Sequence, residues 1–195
     1  MTGKSLRVPA DAPGDAMKRR TQVSVIGYDA KICTQVAYDA AYRVGSALAK
    51  DGVVLVSGGL GGVMEAASKG AFDAGGLAVG IIPPDDASEA NRYCGVVIPS
   101  GFGFARNFLV VNSADALIIV GGGAGTLTEA AAAYGKAKPI VAVKGTGGVA
   151  DEWAGRYFDE RKIVRVSSAE TPEDAARMAL LLAKKGARGP AKTGK

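Results

Sequence analysis

From Thr21 onward, short apolar runs rich in β-branched residues alternate with stretches of helical periodicity, and this alternation constrains the fold more than any other feature of the chain. A strand that is apolar at every position, rather than at every second one, must be covered on both faces, which is the condition of a parallel sheet wrapped by helices. The clearest case is Ala116 to Val120, continuously apolar and bounded by Asp115 and Gly121. Further strands are expected at Val23–Ile26, Val53–Val56, Leu77–Ile82, Val96–Ile98, Ile140–Val143 and around Ile163–Val166. Helices are expected through Val36–Ala49, where Val36, Ala40, Val44 and Leu48 recur every four residues, and through Val63–Phe72. Phe104, Phe108 and Val111 have helical spacing, a further helix is expected from about Thr126 to Gly135, and the last opens at Thr171-Pro172-Glu173, with Thr171 as cap and Pro172 in the first helical position. The expectation is α/β: one doubly wound domain of six or seven parallel strands over residues 21–185, with no internal repeat.

The formal charge of +5 raises the question of a nucleic-acid partner. Residues 1–20 carry +3 and residues 184–195 carry +5, so the body between them is −3. Such Pro-, Gly-, Ala- and Lys-rich ends are expected to be basic flexible tails over 1–20 and 186–195. No nucleic-acid partner is expected. No apolar run reaches the ~18 residues of a membrane span, and Met1–Arg20 lacks the apolar stretch of a signal peptide, so no membrane partner and a cytoplasmic location are expected.

The chain has no histidine, which excludes Ser-His-Asp and Cys-His nucleophile systems, His-ligated zinc and an imidazole base. Cys33 and Cys94 are too few for a disulfide framework or an all-cysteine zinc site, and are expected to be buried free thiols. What remains is backbone chemistry. In open α/β sheets ligands bind beyond the carboxyl ends of the strands, where strand order reverses, and two glycine clusters fall at that edge. Gly121-Gly122-Gly123-Ala124-Gly125-Thr126-Leu127-Thr128-Glu129 lies between a buried strand and a helix. Its glycines free backbone N–H groups for an anion, and the helix N-terminus adds a partial positive charge. Ser57-Gly58-Gly59-Leu60-Gly61-Gly62-Val63-Met64-Glu65 has the same context and suits a second polar part of the ligand. Neither is a P-loop, because no Gly-Lys-Ser/Thr follows. The dinucleotide pattern Gly-x-Gly-x-x-Gly also fails, ending on Met64, Thr126 or Thr128 according to its start.

Thr126 and Glu129 have capping-box spacing, so one reading is that Glu129 merely binds back to the Thr126 N–H. The other makes Glu129 the carboxylate of the anion pocket, able to orient a water or stabilise an oxocarbenium ion. Arg106 follows a Gly- and Phe-rich turn and is either a solvated helix charge or a ligand contact. Asp115 is expected to position a strand start, and Trp153 and Tyr157 to pack.

Pro99-Ser100-Gly101-Phe102-Gly103-Phe104-Ala105-Arg106-Asn107, then Ser113-Ala114-Asp115-Ala116, then Gly121 to Glu129, closely resemble the small Rossmann-like proteins related to the molybdenum-cofactor carrier protein. More distantly they resemble the LOG ("Lonely Guy") phosphoribohydrolases. Gly145-Thr146-Gly147-Gly148 with Asp151, and Ser57 to Met64, look like further family motifs, and the resemblance spans residues 22–182. In the LOG enzymes the motif Pro-Gly-Gly-x-Gly-Thr-x-x-Glu binds the phosphate of a nucleoside 5′-monophosphate, and its Glu acts with an upstream Arg on the N-glycosidic bond. The resemblance therefore implies catalytic roles for Glu129 and Arg106. It implies phosphate or nucleotide binding by Gly122, Gly123, Gly125 and Thr126, with Gly58, Gly59, Gly61 and Gly62 alongside. Gly121 replaces the motif's Pro, and Asn107 replaces the Lys that usually follows the Arg, two departures shared by the carrier-like relatives. Two functions stay open: hydrolysis of a nucleoside 5′-monophosphate, or non-catalytic carriage of a phosphorylated pterin such as the molybdenum cofactor, whose larger body would extend toward Gly145–Gly148. Neither needs a metal or redox cofactor. The expected partner is that small molecule, and the expected assembly is a homodimer or homotetramer through the helix at residues 36–49. Relatives have been labelled lysine decarboxylases, but nothing in the chain commits a lysine to pyridoxal phosphate.

Overall fold

The computed structural model describes residues 19–186. The expected basic tails lie outside these residues except for Arg19, Arg20 and Gly186. Arg19 is anchored, its guanidinium 2.6 Å from Asp115 Oδ1. Asp115 Oδ2 accepts from the Gln22 N–H at 2.9 Å, so this carboxylate positions the start of the first strand.

Among the described residues seven parallel strands form one sheet: β1 (Gln22–Gly27), β2 (Val54–Ser57), β3 (Ala78–Ile82), β4 (Val96–Pro99), β5 (Ala116–Val120), β6 (Ile140–Val143) and β7 (Ser167–Ala169). Their order is β4-β3-β2-β1-β5-β6-β7. The chain starts at the centre, builds outward one way through β4, then returns to β5 beside β1. Strand order thus reverses between β1 and β5, with Gly27 in register with Val120 at their carboxyl ends. In open α/β sheets ligands bind at a crevice of this kind.

Helices α1 (Gln35–Lys50), α2 (Val63–Asp73) and α6 (Pro172–Gly186) cover one face, and α3 (Asn107–Asn112), α4 (Ala124–Gly135) and α5 (Gly148–Trp153) the other. The two-residue period of a strand divides the apolar residues between them. Val23, Val25, Ile118 and Val120 enter the first core; Ile26, Leu117 and Ile119 enter the second. Ser24, buried on the second side, donates to the Val110 carbonyl at 2.8 Å. At α6, Thr171 Oγ1 accepts from the Asp174 N–H at 3.1 Å, and Pro172 opens the helix as expected.

Several local expectations are corrected. The last strand is Ser167–Ala169, not Ile163–Val166. Val164 and Val166 do pack against the core, but the Val166 backbone bonds with Arg156 and Gly155 in the segment after α5. Helix α4 begins at Ala124, two residues before Thr126. Phe104 lies in a separate 3-10 turn (Gly103–Arg106), and only Val111 of the Phe104, Phe108, Val111 series is buried. Val36 is exposed, because the core side of α1 is carried by Ala37, Ala40, Ala41, Val44 and Leu48. Cys33 and Cys94 are half-buried free thiols rather than core residues.

Helices α1 and α2 meet backbone to backbone. A Cβ on Gly45 would fall within the Ala67 carbonyl, and one on Gly70 within the Tyr42 carbonyl, and neither obstacle is a flexible side-chain end. Gly45→Ala is therefore expected to destabilise the fold by about 3 kcal/mol, the upper end of overpacking costs. Thermal denaturation should show this as a midpoint lowered by about 6–12 °C. An unchanged midpoint would mean that the two helices separate freely.

Candidate functional site

The loop after β5 is held from behind, which leaves its front free. The Gly121 N–H donates to Thr146 Oγ1 at 2.8 Å, and that hydroxyl donates in turn to the Val143 carbonyl at 2.6 Å. The Gly121 and Gly122 carbonyls accept from Ala150 and Val149, each at 3.0 Å. Asp151 steadies this support by accepting from the Gly145 and Gly147 N–H groups at 2.7 and 2.9 Å. Gly145–Gly148 therefore buttress the glycine loop and lie outside the cavity lining, where an extended ligand was expected to reach them.

Beyond Gly122 the chain turns into α4, and among the described residues no acceptor meets the N–H groups of Gly123, Ala124 or Gly125. A helix leaves its first N–H groups without internal partners, and here no side chain caps them. The capping-box reading fails: Thr126 is already helical, and its hydroxyl donates to the Gly27 carbonyl at 2.9 Å, joining the start of α4 to the end of β1.

These residues form one wall of a cavity of about 490 Å3, within the ordinary range of small-molecule sites. Arg106 and Glu129, 23 positions apart in sequence, line the same cavity. Both are buried, with Arg106 Nη1 3.6 Å from Glu129 Oε1. Nη1 also donates to Asn107 Oδ1 at 2.6 Å, while Arg106 Nε is buried with no partner among the described residues. Burial pushes the Glu129 carboxyl up to about 7, with the Arg106 charge opposing that rise in part. Burial also lowers the Arg106 pKa from its ordinary value, and Glu129 opposes this shift. The arrangement supplies backbone donors, a buried cation and a carboxyl that titrates near neutrality.

The structure separates the sequence-derived candidates. Gly58, Gly123, Gly125, Thr126, Arg106 and Glu129 line the cavity; Gly59, Gly61, Gly62 and Gly122 do not. Gly58 has a direct steric role, since a Cβ there would stand 2.6 Å from both Arg106 Nη2 and Met64 Sδ. Gly59 instead packs on Gly80 and Ile82, and Gly62 packs on the backbone of Tyr28 and Asp29. The β1–α1 connection, which carries no sequence-derived candidate, contributes Asp29 and Ile32, while Leu60 after β2 and Pro83 after β3 also line the cavity. A signal existed for the first two, because they directly follow a strand that ends at a glycine. Trp153 packs as expected, stacked on Phe158 with centroids 4.3 Å apart, whereas Tyr157 is exposed.

The SLOG cluster4 family profile matches residues 20–176, covering the whole sheet and the start of α6. The chain belongs to the SLOG cluster4 family. Among solved structures similar to this SLOG protein is TM1055, a structural-genomics target, at 35% identity over 83% of this chain and 99% of that one, with a TM-score of 0.76. The molybdenum cofactor binding protein of the phototrophic bacterium Rippkaea orientalis is 32% identical over 85% and 98%, with a TM-score of 0.74. The molybdenum cofactor carrier protein of Chlamydomonas reinhardtii is 30% identical over 84% and 98%, with a TM-score of 0.73. The expected likeness to carrier-type Rossmann-like proteins is thus found across nearly the full length of those chains. Among the described residues of this SLOG protein, no helix is long and apolar enough to cross a membrane.

Proposed function

We propose that this protein binds a phosphorylated small molecule in the cavity at the β1/β5 crevice and serves as a binding or carrier protein for a phosphorylated pterin such as the molybdenum cofactor. The observation that carries this reading is the row of unpaired amides at Gly123–Gly125 beside a buried, incompletely bonded guanidinium. A phosphate bound there receives backbone hydrogen bonds, the positive end of the α4 dipole and a charge-assisted contact from Arg106. Two structures similar over most of the chain bear molybdenum-cofactor binding and carrier names, which favours the pterin over the nucleotide.

One observation favours the hydrolytic alternative. A buried carboxyl with a pKa of about 7 suits a general base that orients water at the anomeric carbon of a nucleoside 5′-monophosphate. The neighbouring Arg106 weighs against that role, because its positive charge lowers the basicity of the carboxylate.

A screen of phosphorylated pterins, AMP and other nucleoside monophosphates against the purified chain tests both readings. A ligand at a hundred times its Kd adds about 2.7 kcal/mol of stability, and a chain of this size should then melt about 5–11 °C higher. The carrier reading expects that shift from a phosphorylated pterin, with no release of free base from AMP by chromatography. AMP turnover would transfer the case to hydrolysis, and a screen in which no phosphate ester stabilises the chain would reject both.

A further inference from the structure

We propose that Phe104 and Ile32 form an apolar clamp for a flat ring carried close to the ligand's phosphate, so that the site selects phosphate monoesters of planar heterocycles over those of plain sugars. The inference rests on the reading of the α4 amides as a phosphate site and names the body attached to that phosphate. Phe104 is 65% exposed and Ile32 55%, yet both line the cavity. A single exposed apolar side chain is ordinary. These two, however, come from different elements and flank the same turn. Ile32 Cδ1 lies 3.5 Å from where a side chain on Gly123 would begin, and Phe104 Cε2 lies 3.8 Å from the corresponding point on Gly125. The residues between and beneath them are glycine and alanine, so the unpaired N–H groups lie between two apolar walls.

The backbone beneath each wall is fixed without help from the exposed side chain. The Gly103 N–H donates to the Pro83 carbonyl at 3.1 Å and the Gly101 N–H to the Pro84 carbonyl at 3.2 Å. Gly101 and Gly103 adopt φ of +65° and +51°, which lets the chain turn sharply enough to present the Phe104 ring. Across the turn, Asp29 Oδ1 accepts from the Lys31 N–H at 2.8 Å and shapes the loop that carries Ile32. Leu60, Met64 and Pro83 extend the apolar lining, and donors and charge gather around α4, Arg106 and Glu129, with Asp29 as the one further charged residue among the described residues of the lining, its Oδ1 engaged by the Lys31 N–H. The occupant that fits is amphiphilic, with one anionic end and one flat apolar body. Because Phe104 stands within van der Waals reach of Gly125, the ring it stacks on begins only a few bonds from the phosphate. A one-carbon link between ring and phosphate meets that requirement, whereas the ribose of a nucleotide carries the base farther out.

The test titrates wild type and Phe104→Ala by calorimetry with ribose 5-phosphate, which has no aromatic ring, and pyridoxine 5′-phosphate, whose flat ring is one carbon from phosphate. Stacking on an aromatic side chain is worth about tenfold in affinity. Wild type should prefer pyridoxine 5′-phosphate by about that factor, and Phe104→Ala should erase the preference while leaving ribose 5-phosphate within about twofold. The ring is mostly exposed, so the variant should melt with wild type. Ile32→Ala should show a smaller loss in the same direction. Equal affinities in wild type, or equal losses for both esters in Phe104→Ala, would overturn the clamp and leave the phosphate site standing. Failure of both esters to bind wild type would overturn the phosphate reading and the clamp together.

Discussion

Arg106→Met is expected to weaken binding of any phosphate ester by about a hundredfold, within the range for removing one charged partner from a buried contact. Met keeps an unbranched apolar stem in place of that of Arg and removes the guanidinium group, whose Nη2 and Cζ stand beside Gly58. The variant should also acquire a pH-dependent defect in stability. In wild type the Arg106 charge restrains a carboxyl that burial drives upward. Without it the folded-state pKa of Glu129 rises further, and the folded chain holds a proton that the unfolded chain releases near 4.5. Stability then falls as pH rises between those two values and stays low above them. Urea denaturation should place Arg106→Met close to wild type at pH 5 and clearly below it at pH 8. The double variant Arg106→Met/Glu129→Gln, which buries no ionisable group, should recover stability at pH 8 without recovering the ligand. Wild-type affinity in Arg106→Met would remove Arg106 from the site.

The sheet was legible in the sequence wherever both faces of a strand are covered. β1, β2, β3, β5 and β6 lie inside the sheet, between helix layers, and read as apolar runs broken internally only by small residues, Ser24 in β1 and Gly80 in β3. β7 did not, because it is an edge strand of sequence Ser-Ser-Ala, while the apolar Val164 and Val166 just before it pack without joining the ladder. Burial and strand pairing usually coincide, and here the buried Val166 stands one residue ahead of the paired segment. The start of helix α4 departs from its sequence pattern for a different reason. Thr126 and Glu129 have the spacing of a capping box, but that motif needs Thr126 in an extended conformation ahead of the helix. Gly123-Ala124-Gly125 carry poor local signals for a helix start, so the pattern alone places the first turn of α4 in the loop. Its being a turn is what aligns the three amides.

The candidate site was legible in its chemistry and less so in its geometry. Arg106 and Glu129 stood out as charges beside glycine-rich turns, and the fold brings them to 3.6 Å. The first glycine cluster was overvalued: of its four candidate glycines only Gly58 reaches the cavity, while Gly59 and Gly62 serve the packing of the loop on β3 and on the β1–α1 connection. Asp29 and Ile32 were passed over because their place depends on β1 lying next to β5, a neighbour relation set by crossovers rather than by local pattern. Glycine clusters announce where backbone must approach something closely, but not whether that something is ligand or protein.

Glu129→Gln separates the two functional readings because they predict opposite outcomes. In wild type the Arg106–Glu129 pair carries a net charge of +1 below the Glu129 pKa of about 7 and none above it. An anionic ligand should therefore bind less tightly as pH rises through 7. The ester's own second ionisation, near pH 6, acts the other way by making the ligand more negative. Comparing variant with wild type on the same ester cancels that contribution. Gln keeps the shape of the side chain and fixes the pair at +1, so affinities should agree near pH 5.5 and favour Glu129→Gln by about tenfold at pH 8.5. Tenfold is about 1.4 kcal/mol, conservative against the ~4 kcal/mol that Coulomb's law gives for unit charges ~4 Å apart at an effective dielectric of ~20. The variant should also lack the decline in stability expected of wild type between pH 4.5, the ordinary value, and about 7, where the folded chain binds the extra proton. Under hydrolysis the same substitution removes the group that activates water, so AMP would be cleaved by wild type and spared by Glu129→Gln. Tighter binding at high pH with no turnover in either protein identifies a pocket built to hold its ligand, with Glu129 as the proton-dependent restraint on how firmly it does so.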